Sequence, residues 1–227
     1  MSAAEALKQA AADRAVELVR DGMLVGLGSG TTASLFVAAL GRRVAAGLRV
    51  TGLASSERTA QLAAASGVPV VQEVDRPLDL AVDGADEIDP QRNLVKGRGG
   101  ALFREKMVAL NSERFIVVAD SSKLVEQLGE GVLPVEVLSF LWRQTAARLG
   151  ALGATWTLRE AGGRPYVTDN GNLILDLTFA SRIRDAERLG GEIKQVPGVL
   201  EHGLFPGITA GCIVAGPDGL RILGRLD

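Results

Sequence analysis

The sequence predicts an α/β protein with an open, mostly parallel sheet flanked by helices, and a second, smaller α+β domain. Three observations lead there. First, 47% of the 227 residues are apolar but only 4% are aromatic, so the core is built from Ala, Val, Leu and Ile. Such a core suits helices laid on a parallel sheet whose strands are buried on both faces, and the length suffices for one or two domains. Second, short apolar runs alternate with helix-length segments as far as Ala119. A βαβα alternation implies parallel strands with right-handed crossovers, a Rossmann-like arrangement. Third, the alternation stops near Leu133, where hairpin signals take over.

Residues 3–20 read as a helix with a rough apolar stripe of Leu7, Ala11, Val16, Leu18 and Val19, stopped by Asp21-Gly22. Met23 to Leu27 is a short buried strand. A glycine-rich turn then opens a helix to about Gly47, with Leu35, Phe36, Ala39 and Leu40 facing inward. A strand over 49–54 precedes a helix over 56–66, for which Ser55 or Ser56 is the N-cap. Strands follow at 68–71 and 78–82, the second running into an acidic loop, and then a helix at 100–110 and a strand at 115–119.

Past Leu133 the pattern predicts a strand over 134–138, a helix over 139–149 and a strand over 155–158. Segments 166–168 and 173–177 flank Asp169-Asn170-Gly171-Asn172, which reads as a hairpin turn. A helix over 183–195 ends before Pro197-Gly198. The tail forms a second hairpin about Gly216-Pro217-Asp218-Gly219 that returns to the first domain. The expected division is therefore 1–131 plus 205–227 as one discontinuous domain, and 132–204 as the smaller one.

Charge and rare residues narrow the function. Lys plus Arg (25) nearly balance Asp plus Glu (27), which leaves no basic surplus for nucleic acid or an anionic membrane. The single Cys212 excludes an intramolecular disulfide, and the lone His202 argues against a His- or Cys-rich metal site. His202 reads as an ordinary loop or domain-edge residue, far in sequence from the glycine loops. The first residues lack a signal peptide's basic-then-apolar order. No apolar run approaches the roughly 20 residues that span a bilayer.

Three segments carry chemistry, and each follows a predicted strand, where ligands of open α/β sheets collect. Gly28-Ser29-Gly30-Thr31-Thr32 leads into a helix, so its backbone N–H groups and hydroxyls can cradle a phosphate. It is neither a Walker A loop nor a dinucleotide fingerprint, and a plain strand-to-helix turn is the alternative. Asp83-Gly84-Ala85-Asp86-Glu87-Ile88-Asp89 offers carboxylates to sugar hydroxyls. A solvated turn describes Glu87 and Asp89 there, and a divalent cation is a further alternative whose spacing fits no EF-hand. Lys96-Gly97-Arg98-Gly99-Gly100 then precedes a helix carrying Glu105 in its first two turns. Lys96 can stabilise a developing enediolate and Glu105 can serve as a base, the alternative being a surface glutamate in helix ion pairs.

These segments, with Ala119-Asp120-Ser121-Ser122-Lys123, Leu133-Pro134-Val135-Glu136-Val137 and Val167-Thr168-Asp169-Asn170-Gly171-Asn172, resemble the ribose-5-phosphate isomerase A family. The resemblance runs in order from about Lys8 to the Gly216–Gly219 turn. It implies an aldose–ketose isomerase of the pentose phosphate pathway, with Glu105 moving a proton between C1 and C2. It implies that Asp83 assists ring opening and that Asp86 and Lys96 line the reacting end. Ser29, Gly30, Thr31, Thr32, Lys123 and Lys8 would hold substrate, chiefly at phosphate. Gly84, Ala85, Gly97, Arg98 and Gly99 would complete the binding surface. Arg98 stands where the family often has glycine, and adds charge near the site. The resemblance further implies no cofactor or metal, no nucleic-acid or membrane partner, a homodimer or homotetramer, and a cytoplasmic setting.

Two rivals belong to other classes. In a coenzyme A transferase, Glu105 would be a nucleophile, though no nucleotide-binding module is evident. A sugar-phosphate sensor would normally carry a DNA-binding segment and a basic surface, and neither is visible.

Overall fold

The computed structural model describes residues 3–227. The chain divides into two units: Met1–Ala85 with Arg104–Lys123 and Ile208–Asp227, and Asp86–Phe103 with Leu124–Gly207. Residues 86–103, 124–131 and 205–207, which the sequence pattern leaves in the first domain, fall in the second unit.

The first unit opens with α1 (Ala3–Val16), β1 (Leu24–Leu27), α2 (Gly30–Ala45), β2 (Thr51–Ala54), α3 (Glu57–Ala65), β3 (Val70–Val71) and β4 (Leu80–Asp83). Helix α4 (Leu102–Leu110) enters it at Arg104 and is followed by β7 (Phe115–Asp120). The unit closes with β15 (Gly211–Gly216) and β16 (Gly219–Gly224). These strands form one sheet in the order β16-β15-β7-β4-β1-β2-β3. Every pairing is parallel except the terminal hairpin of β15 with β16. The predicted α/β class therefore stands. The order reverses at β1, with β2 to one side and β4 to the other, and ligand crevices of open sheets form at such a reversal.

Strands β4 and β7 are buried at every position, as expected where helices cover both faces. Phe36 and Leu40 of α2 are wholly buried in one cluster with Val25, Leu27, Val82 and Val118. Helix α1 stops at Val16, four residues short of the expected end. Arg43 on α2 explains this: its Nη1 donates to the carbonyls of Val16 (2.5 Å) and Val19 (2.9 Å). The guanidinium thus supplies donors to carbonyls at and beyond the helix end, while Val19 N also bonds Val16 O in a tighter final turn. Helix α3 is capped by Ser56, whose hydroxyl accepts from Thr59 N at 3.1 Å.

The second unit contains two main sheets. Strands β5 (Glu87–Ile88), β6 (Leu94–Val95) and β14 (Leu204–Phe205) form a small sheet in the order β14-β6-β5. Strands β8 (Leu133–Val137), β9 (Ala154–Leu158), β12 (Leu173–Phe179) and β13 (Val199–His202) pair antiparallel in the order β13-β8-β12-β9. Helices α5 (Trp142–Gly150) and α6 (Ala186–Lys194) contribute Ala146, Leu149 and Ile193 to the core with Val135, Val137 and Leu175.

Two local expectations fail here for visible reasons. Helix α5 starts three residues late, because Leu141 adopts a left-handed conformation (φ 54°) that takes 139–141 off the helix. The Asn170-Gly171 turn joins no true hairpin. Only a single bridge, Val167 to Leu173, forms, because the buried Glu136 carboxylate draws in the side chains of Thr168, Asn170 and Asn172 at 2.8–3.1 Å. The hairpin lies upstream, between β10 (Glu160–Ala161) and β11 (Arg164–Pro165), around Gly162 and Gly163. Both glycines have positive φ (60° and 73°), the geometry that a tight two-residue turn demands.

Candidate active site

In the first unit, the predicted phosphate loop is the turn from β1 into α2. Ser29 is the N-cap of α2 but makes no side-chain cap bond. Its hydroxyl bonds instead to Ser55 Oγ at 2.8 Å, and Thr59 Oγ1 donates to Gly28 O at 3.1 Å. The Ser29 side chain therefore caps none of the N–H groups that open this 16-residue helix, the groups that a helix N-terminus offers to an anion. Ser55 and Thr59 are site-supporting residues that sequence reading missed, beyond noting Ser55 as a possible cap.

Asp83 ends β4 and is 3% exposed. Its Oδ1 accepts from Ser29 N (2.9 Å) and from Gly84 N (2.7 Å). A Cβ on Gly28 would overlap the Asp83 carboxyl, so glycine at 28 permits the acidic loop and the phosphate loop to touch. Gly30, with φ +90°, turns the chain into α2, and Thr32 is buried while Thr31 is exposed.

Lys8 on α1 reaches this loop, its Nζ donating to Thr31 Oγ1 at 3.1 Å. Lys123 closes the short 3-10 turn after β7. The two lysines share Asp120 as an electrostatic neighbour. Burial works against that carboxyl's charge, but the Ser122 hydroxyl and N–H, then Lys123 and Lys8, together hold it below the usual carboxylate range. Glu105 stands in the first turn of α4 and is only 5% exposed, which excludes a solvated helix glutamate. Lys106 is also buried.

In the second unit, Asp86 accepts from Arg98 N at 2.9 Å, and its own N–H donates to Val95 O. Lys96 is 2% exposed; its N–H donates to Gly203 O and its ammonium lies 5.6 Å from the Phe205 ring centroid. That is within cation–π range. Gly97 (φ +100°) and Gly100 (φ +90°) bend the chain between Lys96 and α4, while Gly99 is exposed.

Two expectations need correction. Glu87 and Asp89 are not a solvated turn, being 2% and 8% exposed. Glu87 accepts from the N–H groups of Gly129, Glu130 and Gly131 (2.7–3.2 Å), and Asp89 from Asn93. Arg98 does not present its charge to a ligand. Its guanidinium donates to Glu87 Oε1 at 2.6 Å, so the additional charge at this position is neutralised by a buried partner. His202 is structural but is not a loop residue: it ends β13 and is buried, and its Nδ1 accepts from Leu204 N.

The family model for ribose 5-phosphate isomerase A (phosphoriboisomerase A) matches residues 51–219. The chain belongs to this family. It is 51% identical to the ribose-5-phosphate isomerase A of Gloeobacter violaceus, covering 96% of this chain and 95% of that one. The Agrobacterium fabrum enzyme of the same name is 48% identical, covering 97% and 98%. Among solved structures, the isomerase A of Methanocaldococcus jannaschii superposes with a TM-score of 0.93 at 38% identity, over 97% of this chain and 99% of that one. A D-ribose-5-phosphate isomerase in complex with phospho-erythronic acid superposes at 0.94 with 36% identity, over 99% and 100%. Membership in the isomerase A family leaves no room for the transferase or sensor readings.

Proposed function

We propose that this isomerase interconverts D-ribose 5-phosphate and D-ribulose 5-phosphate through a cis-enediolate, with Glu105 as the base. The observation that carries the assignment is the burial of the Glu105 carboxyl in the first turn of α4. Asp83 takes the C1 hydroxyl proton and passes it to the ring oxygen as the bond from C1 to that oxygen breaks and the sugar ring opens. Glu105 then removes the C2 proton, and the electron pair moves to give the enediolate as the C1 carbonyl oxygen gains charge. Lys96 supports that charge, and Asp86 binds beside it. The same carboxyl returns the proton to C1 while the O2 hydroxyl proton passes to O1, leaving a carbonyl at C2 and a hydroxyl at C1.

Ser29, Gly30, Thr31 and Thr32 hold the phosphate with Lys123 and Lys8; Gly84, Ala85, Gly97 and Gly99 complete the binding surface through their backbone. The phospho-erythronic acid bound by the related isomerase has chemistry that fits this reading. It pairs a phosphate with a carboxylate, whose planar, charged oxygens imitate an enediolate.

The deciding experiment is turnover of ribose 5-phosphate by purified protein treated with EDTA. Undiminished formation of ribulose 5-phosphate is the expected result, because no proposed step uses a metal. Activity that vanishes with EDTA and returns with a divalent cation would refute the scheme. Lys123→Ala should raise KM about 10- to 100-fold with kcat changed much less, since a charge-assisted phosphate contact contributes roughly equally to ground and transition states. Steady-state kinetics check this, and an unchanged KM would remove Lys123 from the phosphate contacts.

We place the enzyme in the cytoplasm as a homodimer or homotetramer, on the strength of the family resemblance. No helix among the described residues is long and apolar enough to cross a membrane.

A further inference from the structure

We infer that Arg159, locked by Asp176, is a positioning residue that sets the peptide orientation of the loop after Lys96. The inference rests on the functional reading above and adds a residue to it. Arg159 follows β9, and its backbone is bonded on both sides, donating to Ile174 O (2.9 Å) and accepting from Tyr166 N (2.8 Å). Its side chain is 12% exposed. Nε donates to Asp176 Oδ2 at 2.9 Å and Nη2 to Asp176 Oδ1. That pairing fixes the guanidinium plane and leaves both hydrogens of Nη1 for other acceptors. They go to two consecutive carbonyls, Gly97 O (2.9 Å) and Arg98 O (3.1 Å).

The consequence follows from peptide planarity. In a trans peptide the C=O of one residue and the N–H of the next point in opposite directions, and the chain has no cis bonds. Holding Gly97 O therefore aims the Arg98 N–H away from Arg159, and that N–H donates to Asp86 Oδ2 at 2.9 Å. Holding Arg98 O likewise turns the Gly99 N–H away from Arg159, so two successive donors are fixed by one guanidinium. Tyr166, paired to Arg159 through the backbone, closes the other end of the loop. A Cβ at Gly100 would overlap its phenol ring, so the Tyr166 side chain packs directly against the backbone there. Arg159 thus acts at a distance, through the Asp86 carboxylate and the Gly99 amide. Lysine cannot replace it, because one ammonium cannot clamp Asp176 side-on and reach two carbonyls.

The test compares wild type with Arg159→Lys and with the double variant Arg159→Met, Asp176→Leu. The double variant removes both charges together, so neither is left buried alone and the unfolding midpoint should stay close to that of the wild type. Both variants should lose about 10- to 100-fold in kcat for ribose 5-phosphate with KM changed less than about threefold, the signature of misplaced transition-state contacts. Amide hydrogen exchange over 97–100 should quicken in both. A purely structural role would lower the unfolding midpoint and leave kcat of the folded protein intact. Full kcat in a folded Arg159→Lys variant overturns the inference, whether or not the double variant folds. A wild-type protein that does not isomerise ribose 5-phosphate overturns the functional reading first, and this inference with it.

Discussion

Glu105→Gln is expected to lower kcat by about 10²–10⁴-fold, the usual range for deleting a general base. Glutamine keeps the length, shape and near-neutral packing of the side chain but cannot accept a proton from carbon. Because the group is 5% exposed, no bulk water stands ready to replace it. Binding should survive, since the proposed phosphate contacts are made by other residues. A matched measurement of kcat and of substrate affinity by calorimetry separates the two quantities. Near-normal kcat in this variant would move the base to another residue, with Asp83 the next to examine.

Glu87→Ala should cost about 3–5 kcal/mol of stability, the scale for stripping one partner from a buried charged network. The carboxylate is 2% exposed and takes three backbone N–H groups from 129–131 besides the Arg98 guanidinium. Alanine would strand all of these donors in a site that water enters poorly. Glu87→Gln keeps one acceptor oxygen and should cost markedly less. Arg98→Gly should be milder still, because Arg98 is one-third exposed and Glu87 retains its three amides. Urea unfolding of the three variants gives the order directly. An alanine variant as stable as the wild type would show that the network contributes nothing net.

Much of the first unit was legible because each element carries its own local signal. Strands such as β1 and β7 are short apolar runs, and the turn into α2 announces itself by glycine spacing. Ser29, Asp83, Lys96 and Glu105 belong to segments whose residue types suggest the chemistry proposed for them. What escaped was decided by partners distant in sequence. Glu87 looks like a surface carboxylate until the amides of 129–131 fold against it. Arg98 reads as spare charge until Glu87 is buried beside it. Arg159 and Asp176 sit 17 residues apart with no motif to mark them; only the antiparallel pairing of β9 with β12 brings them together. Lys8 could be suggested from the sequence, but its bond to Thr31 required the fold.

The bond from Ser29 N to Asp83 has a consequence for substrate length. With no Cβ at Gly28 and a shared hydrogen bond, the loop proposed to cradle phosphate and the Asp83 carboxylate cannot drift apart independently. They act as the two jaws of a fixed gauge. A sugar phosphate anchored at one jaw offers its hydroxyls to the other at a spacing set by the number of carbons between. One extra carbon displaces the reacting end by about the length of a carbon–carbon bond, and displacements of roughly 1 Å are enough to cost about 100-fold in rate. On the proposed roles, discrimination by chain length would come from the backbone at the sheet's point of reversal, without a side chain devoted to measuring it.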